Sequence, residues 1–304
     1  MEARGCPPHE AVAVVGPGGI AGFHGARLAA AGRRVVFCAR RPFDRIVVDS
    51  PTAPVSLPAR VATTVAELDS AGPRPWVLVG VKAHQTAGAG PWLDALCDER
   101  TVVVALQNGI ESIERLAPWV RGATIVSTVV YCGAELVEPG RIRHHGTARL
   151  VVEAKDAGRM VHDLFAGSGV EVELVANFPT AAWRKLGTNV VASGICALTR
   201  RPLDVLVRPE ITRLAAELLH ECWAVGRAEG AELDGSDADQ LLRELGVPTA
   251  GDVRPSMLQD RLAGRPTEHD AIYGAVRRAG ARHGIDTPVV RAVHELVAAG
   301  DPVT

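Results

Sequence analysis

Three polar side chains set in an apolar stretch are the first sign of chemistry. In AAWRKLGTNVVASGICAL, residues 181–198, Lys185, Asn189 and Ser193 fall four apart, a spacing that stacks them on one face of a helix. Their neighbours favour burial, so the stripe holds a cation, an amide and a hydroxyl where water has poor access. A lysine there can protonate or polarise an oxygen on which negative charge develops, and a site that excludes water strengthens the effect. Burial lowers its pKa, and a nearby carboxylate raises it again. On helix pattern alone, a lysine snorkelling from the surface fits as well.

The second signal is VVGPGGIAG, where Gly16, Pro17, Gly18, Gly19, Ile20 and Ala21 form Gly-x-Gly-x-x-Ala. It follows the apolar run AVAVVG at 11–16 and precedes AGFHGARLAAAG, which has helical periodicity. Between a strand and a helix, such a loop brings backbone close to a pyrophosphate, whose charge the free N–H groups of the helix start favour. An ordinary glycine-rich turn is the alternative. Roughly 20 residues on, an NAD site carries an acid for the ribose 2′-hydroxyl. Here the chain has Ala39-Arg40-Arg41 and no acid before Asp44. A guanidinium suits a 2′-phosphate, so NADPH is the expected cofactor and Arg40 its reader. A solvated basic pair is the alternative, more so for Arg41.

These residues need a frame. RVVFCAR at 34–40, WVLVGVK at 76–82 and TVVVALQNG at 101–109 are apolar throughout, as parallel strands covered on both faces are. Residues 123–153 continue in β-type segments around a PGR turn and are expected at the far edge of the same sheet, with His144 and His145 on opposite faces. After about residue 176, alanine- and leucine-rich helical stretches replace the β-branched runs. The expected fold class is α/β: an N-terminal Rossmann-type dinucleotide-binding domain over 1–177, then an all-helical substrate and catalytic domain over 178–304. Within the latter, 233–256 reads as a helix between polar loops, and the last residues as frayed.

With 304 residues the chain is long enough for two domains. It is 47% hydrophobic and 22% charged, a globular balance. Lys plus Arg number 33 against 35 Asp plus Glu, so no global field gathers nucleic acid or an anionic membrane. The first ten residues, MEARGCPPHE, have no apolar core, and no run reaches the roughly 18 apolar residues of a spanning helix; a cytoplasmic location is expected. The cysteines at 6, 38, 97, 132, 196 and 222 are scattered and read as reduced, mostly small buried hydrophobes. No metal is expected.

Four more segments join the glycine loop: VKAHQT at 81–86, LQNGIE at 106–111, WRKLGTN at 183–189 and SMLQDRLAGRPTEHDAIYG at 256–274. In this order, over nearly the whole chain, they resemble the ketopantoate reductase (2-dehydropantoate 2-reductase) family. The resemblance implies NADPH-dependent reduction of 2-dehydropantoate to pantoate, on the route to pantothenate and coenzyme A. By position, Lys185 matches the family's proton-donating lysine, and Glu268 the acid that helps set the nicotinamide end and the lysine. Asn108 and Ser256 match groups that hold substrate and cofactor, Lys82 lies near the cofactor and reacting end, and Asn189 matches a substrate-binding asparagine. From the residues alone, Glu268 after a capping Thr267, Ser256 as an N-cap, Asn108 in a turn and Lys82 as a surface lysine remain alternatives. A small 2-oxo acid is the expected partner, with a homodimer left open.

The chain departs from the family pattern at Ser193, where a second asparagine is usual, and at Val253, Arg254 and Pro255, where an asparagine and a serine are common. A lost hydrogen-bond partner costs on the order of 1 to 3 kcal/mol, enough to change which substrate wins. Related readings are a reductase of another ketone or imine, and a silent NADPH sensor, against which Lys185 and Glu268 argue. His269 and Tyr273 are also unusual, and neither is expected to touch the reducing groups.

Overall fold

The computed structural model describes residues 11–68, 74–245 and 253–302. The first ten residues, Cys6 among them, residues 69–73 and 246–252, and the last two residues lie outside these. The chain forms two compact units. One runs through Asn108 and from Ser112 to Ala176; the other holds Gly109–Glu111 and everything from Asn177 onward.

The first unit carries strands β1 (Ala11–Val15), β2 (Arg34–Cys38), β3 (Arg45–Asp49), β4 (Val55–Pro58), β5 (Arg60–Ala62), β6 (Trp76–Val79), β7 (Val102–Ala105), β8 (Thr124–Ser127), β9 (Val129–Glu138), β10 (Arg141–Glu153) and β11 (Glu171–Val175). Its helices are α1 (Gly19–Ala30), α2 (Thr86–Leu96), α3 (Ser112–Leu116) and α4 (Asp156–Leu164). Six strands form a parallel sheet in the order β5-β2-β1-β6-β7-β8. The order reverses between β1 and β6, and in such sheets ligands bind outside the carboxyl ends of the strands at that switch point. Alternation divides each strand: Val12, Val14, Leu78 and Val104 join the core that includes Phe23 and Leu28 of α1, while Val15, Val77, Val79 and Val103 face Leu93 and Leu96 of α2. Burial on both faces explains the unbroken apolar runs.

One expectation is corrected. Of residues 123–153 only β8 edges the parallel sheet; the rest builds a second sheet, β11-β10-β3-β4, with β9 antiparallel along β10. The chain leaves the first sheet at Thr128, whose hydroxyl donates to the Ala105 carbonyl at 2.6 Å. In β10, buried Ile142 and His144 alternate with exposed Arg141, Arg143 and His145, the period-two pattern of a strand with one wet face. That alternation separates these segments from the all-apolar parallel strands.

The second unit is helical: α5 (Phe178–Thr199), α6 (Pro209–Ala228), α7 (Gly235–Leu245), α8 (Ser256–Leu262), a π-type turn over Asp270–Gly274 leading into α9 (Ala275–Arg282), and α10 (Pro288–Ala299). The Asn177 side chain caps α5 by accepting from the Thr180 N–H at 3.0 Å, with a proline in the first turn. Small residues let neighbours close on α5: a Cβ on Gly187 would strike Leu219 and Trp223. Trp183, Val190, Leu218, Trp223, Tyr273 and Val290 are among the buried core side chains. Cys38, Cys97, Cys196 and Cys222 are buried free thiols, and Cys132 is a half-buried one. Among the described residues no helix is long and apolar enough to cross a membrane.

Candidate active site

In the first unit the expected cofactor residues follow four neighbouring strand ends. Arg40 follows β2, the glycine loop β1, Lys82 β6 and Asn108 β7, all on the carboxyl edge of one parallel sheet. Gly16 has φ +74°, and a Cβ there would collide with Val81, so only glycine serves. Its N–H donates to the Cys38 carbonyl at 3.2 Å, and the Gly18 N–H returns to the Gly16 carbonyl at 2.7 Å, which turns Pro17 and Gly18 tightly. Gly18 differs: its backbone is extended, and the nearest atom to a Cβ there would be the Gly16 oxygen at 4.0 Å. Nothing in the protein demands glycine at that point, so the cleared space fits an outside group that approaches the backbone. No side chain caps α1, and its first turn holds no acid, so the N–H groups of Gly19, Ile20 and Ala21 are donors that the helix itself cannot satisfy. This cradle fits a dinucleotide pyrophosphate. Gly19 has a further, internal reason, because a Cβ there would enter the Ala134 backbone of β9.

Arg40 is exposed just beyond β2, where a fork can meet a 2′-phosphate. Lys82 and Asn108 are half-buried. Their loops are fastened by a residue the sequence reading passed over: buried Gln107 donates from Nε2 to the Val81 carbonyl at 3.1 Å and to Thr86 Oγ1 at 2.9 Å, and Thr86 donates to the Ala83 carbonyl at 2.8 Å. Arg115 holds the Asn108 carbonyl at 3.1 Å. A polar residue inside a buried strand end, next to the Asn-Gly turn, was the available signal.

In the second unit, Lys185, Asn189 and Ser193 lie on α5 as the spacing requires. Lys185 and Asn189 are half-buried and Ser193 is buried. Desolvation lowers the Lys185 pKa below the ordinary lysine value, which brings a proton donor closer to the working range. Ser256 is the first residue of α8 and exposed, while Pro255 takes the capping position; the N-cap alternative for Ser256 does not hold. Nor does Thr267 cap: its N–H and hydroxyl both go to Asp301 Oδ2, at 2.8 and 3.1 Å. Glu268 is 5% exposed and immediately precedes the helical turn at His269. Glu111, from the segment after Asn108, takes a bidentate grip from Arg278 at 2.9 and 2.7 Å.

Tyr273 reaches the backbone of α5. Its buried hydroxyl donates to the Val190 carbonyl of α5 at 2.6 Å, on the turn between Asn189 and Ser193. Gly194 leaves room for that ring, since a Cβ would overlap the phenol oxygen.

Residues 12–157 match the family described as ketopantoate reductase PanE/ApbA, and residues 177–301 match its C-terminal region. The chain is 38% identical over 289 residues to the 2-dehydropantoate 2-reductase of Mycobacterium tuberculosis (strain CDC 1551 / Oshkosh), covering 95% of this chain and 97% of that one. It is 37% identical over 278 residues to that of Caulobacter vibrioides, covering 91% and 94%. The crystal structure of 2-dehydropantoate 2-reductase from Geobacter metallireducens GS-15 superposes with a TM-score of 0.87 at 28% identity, over 95% of this chain and 99% of that one. Two sheets around a glycine cradle, a helical unit carrying the lysine stripe, and matches that span both place this chain in the ketopantoate reductase family of oxidoreductases.

Proposed function

We propose that the protein reduces 2-dehydropantoate to pantoate with NADPH, and that Lys185 supplies the proton. The observation that carries this is Lys185 itself, a lysine on a largely apolar helix whose pKa desolvation lowers, in line with Asn189. Hydride transfer to a ketone carbon leaves charge on oxygen, and an ammonium beside that oxygen stabilises the charge and then neutralises it.

The bound cofactor supplies the hydride. The chain's residues do the rest. The Gly16–Ala21 cradle binds the pyrophosphate through backbone N–H groups, and Arg40 meets the 2′-phosphate. Lys82 and Asn108 hold the cofactor near the reacting end, with Gln107 and Thr86 fixing their loops. Asn189, Asn108 and Ser256 donate and accept for the carboxylate and hydroxyl of the oxo acid. Glu268 keeps the Lys185 ammonium charged and oriented between turnovers. Ser193 is shorter than the asparagine usual in the family and is buried, so Asn189 carries the amide contact of that face.

The test is to mix purified protein with a panel of 2-oxo acids and either NADPH or NADH, and to follow the nicotinamide absorbance. The expected result is oxidation of NADPH dependent on 2-dehydropantoate. Oxidation only with other carbonyls would assign a different substrate, and tight NADPH binding without turnover would assign a sensor.

A further inference from the structure

Beside Glu268 lies a chain of side chains whose proton positions the geometry dictates. Arg277 Nη1 is 3.0 Å from His294 Nδ1, and His294 Nε2 is 2.9 Å from His269 Nδ1. A guanidinium only donates, so His294 Nδ1 carries a lone pair and its proton sits on Nε2. That proton points at His269 Nδ1, which must accept, so the His269 proton sits on Nε2, which faces Asp301 Oδ2 at 3.8 Å. The direction Arg277 to His294 to His269 to Asp301 follows.

The chain ends at Asp301, which holds the residue before Glu268. Asp301 anchors Thr267 through its N–H and hydroxyl, and also meets Arg261 Nη1 at 3.3 Å. Glu268 therefore has one neighbour fixed by Asp301 and the other, His269, inside the relay. Tyr273 stacks on His294 with ring centroids 6.3 Å apart, so the same cluster borders the side chain that grips α5.

Each imidazole has one accepting nitrogen, and in both an incoming N–H already occupies it. A proton added to His294 Nδ1 would face Arg277 and break the chain. Among the groups around the pair, Arg277, Arg278 and the other histidine oppose protonation of His294, while Asp270 favours it; burial opposes it most. Arg278 is itself paired with Asp270 and Glu111, Arg277 lies 3.9 Å from Glu295, and Asp301 lies beside His269. His294 is therefore neutral and the chain connected at neutral pH, and protonation of His294 under acid opens it.

We propose that the His269–His294 pair is a positioning device for Glu268, closed while His294 is neutral and opened by its protonation, which gives the reductase an acid limb set by residues that do not touch substrate. This rests on the role of Glu268 proposed above.

Two variants of the full chain separate the possibilities. Glutamine can accept from Arg277 and donate to His269 without ever titrating, so His294→Gln mimics the neutral imidazole; His294→Leu breaks the relay. Measured on 2-dehydropantoate with NADPH, His294→Gln is expected to keep kcat within about twofold at neutral pH and to lose the acid limb. His294→Leu is expected to lower kcat about fivefold or more at neutral pH, with KM nearly unchanged, and to converge with the native chain below the acid limb. In parallel, nitrogen-15 spectra should show both rings as the Nε2–H tautomer at neutral pH, and the backbone amides of Thr267 and Glu268 moving with the His294 titration. An acid limb that survives in His294→Gln, or amides that ignore the ring, overturns the proposal. If no oxo acid is turned over, the functional reading fails separately, and the amide shifts still decide the relay.

Discussion

At the scale of single residues, the site depends on where a side chain is present and where one is missing. Gly18 has open space where a Cβ would stand, so Gly18→Ala should fold normally and raise the KM for NADPH about tenfold, a loss of about 1.4 kcal/mol. Gly16→Ala meets a positive φ and Val81 at once, and should lower the melting temperature as well as weaken the cofactor. Arg40→Ala should reduce the preference for NADPH over NADH by roughly 10- to 100-fold, the value of about 1.5 to 3 kcal/mol for a charge-assisted bond; competitive titration of the two nucleotides measures it. Because burial lowers the Lys185 pKa from 10.5, a proton-donating Lys185 makes kcat fall as pH rises through a value below 10.5. A profile flat to higher pH would remove Lys185 from that role.

Among the elements, α1 joins the cofactor loop to the second sheet and carries a group that titrates with folding. His24 is fully buried, its Nδ1 donates to the Ile20 carbonyl at 2.8 Å, and its Nε2 has no partner among the described residues. Burial, reinforced by His144, pulls its pKa from 6.5 down to about 4. Between those values the unfolded chain binds a proton that the folded one refuses, so stability falls as pH falls through that window. Across it the native state loses roughly 3 kcal/mol, and none further below it from this group. Denaturant unfolding at a series of pH values should show that slope in the native chain and its loss in His24→Gln. The sequence made the parallel strands legible because both faces are covered and their runs are apolar, and it made α5 legible through its polar stripe. It left β9 and β10 attached to the wrong sheet, because a β-type run states its own character and not its partner; only the alternation of Arg141, Arg143 and His145 with Ile142 and His144 marked a wet face. Gln107 and Tyr273 were harder to see, since their importance lies in carbonyls distant in sequence, Val81 and Val190.

For the whole molecule, family membership rests on matches that span both units, while the chemistry rests on few residues. The motifs were legible as residue types at fixed spacing; what Asn108, Ser256 and Glu268 touch was not, because those contacts depend on how distant segments fold. The proposed chemistry has the half-buried Lys185 of α5 protonate the oxygen of a 2-oxo acid as NADPH delivers hydride. Its most direct test is the steady-state rate of NADPH oxidation with 2-dehydropantoate for the native chain and for Lys185→Ala, with circular dichroism showing that both fold. Robust turnover by the native chain and a kcat lower by about 100- to 10,000-fold in the variant, the range of a lost general acid, are expected. A variant within about threefold of the native rate would contradict it.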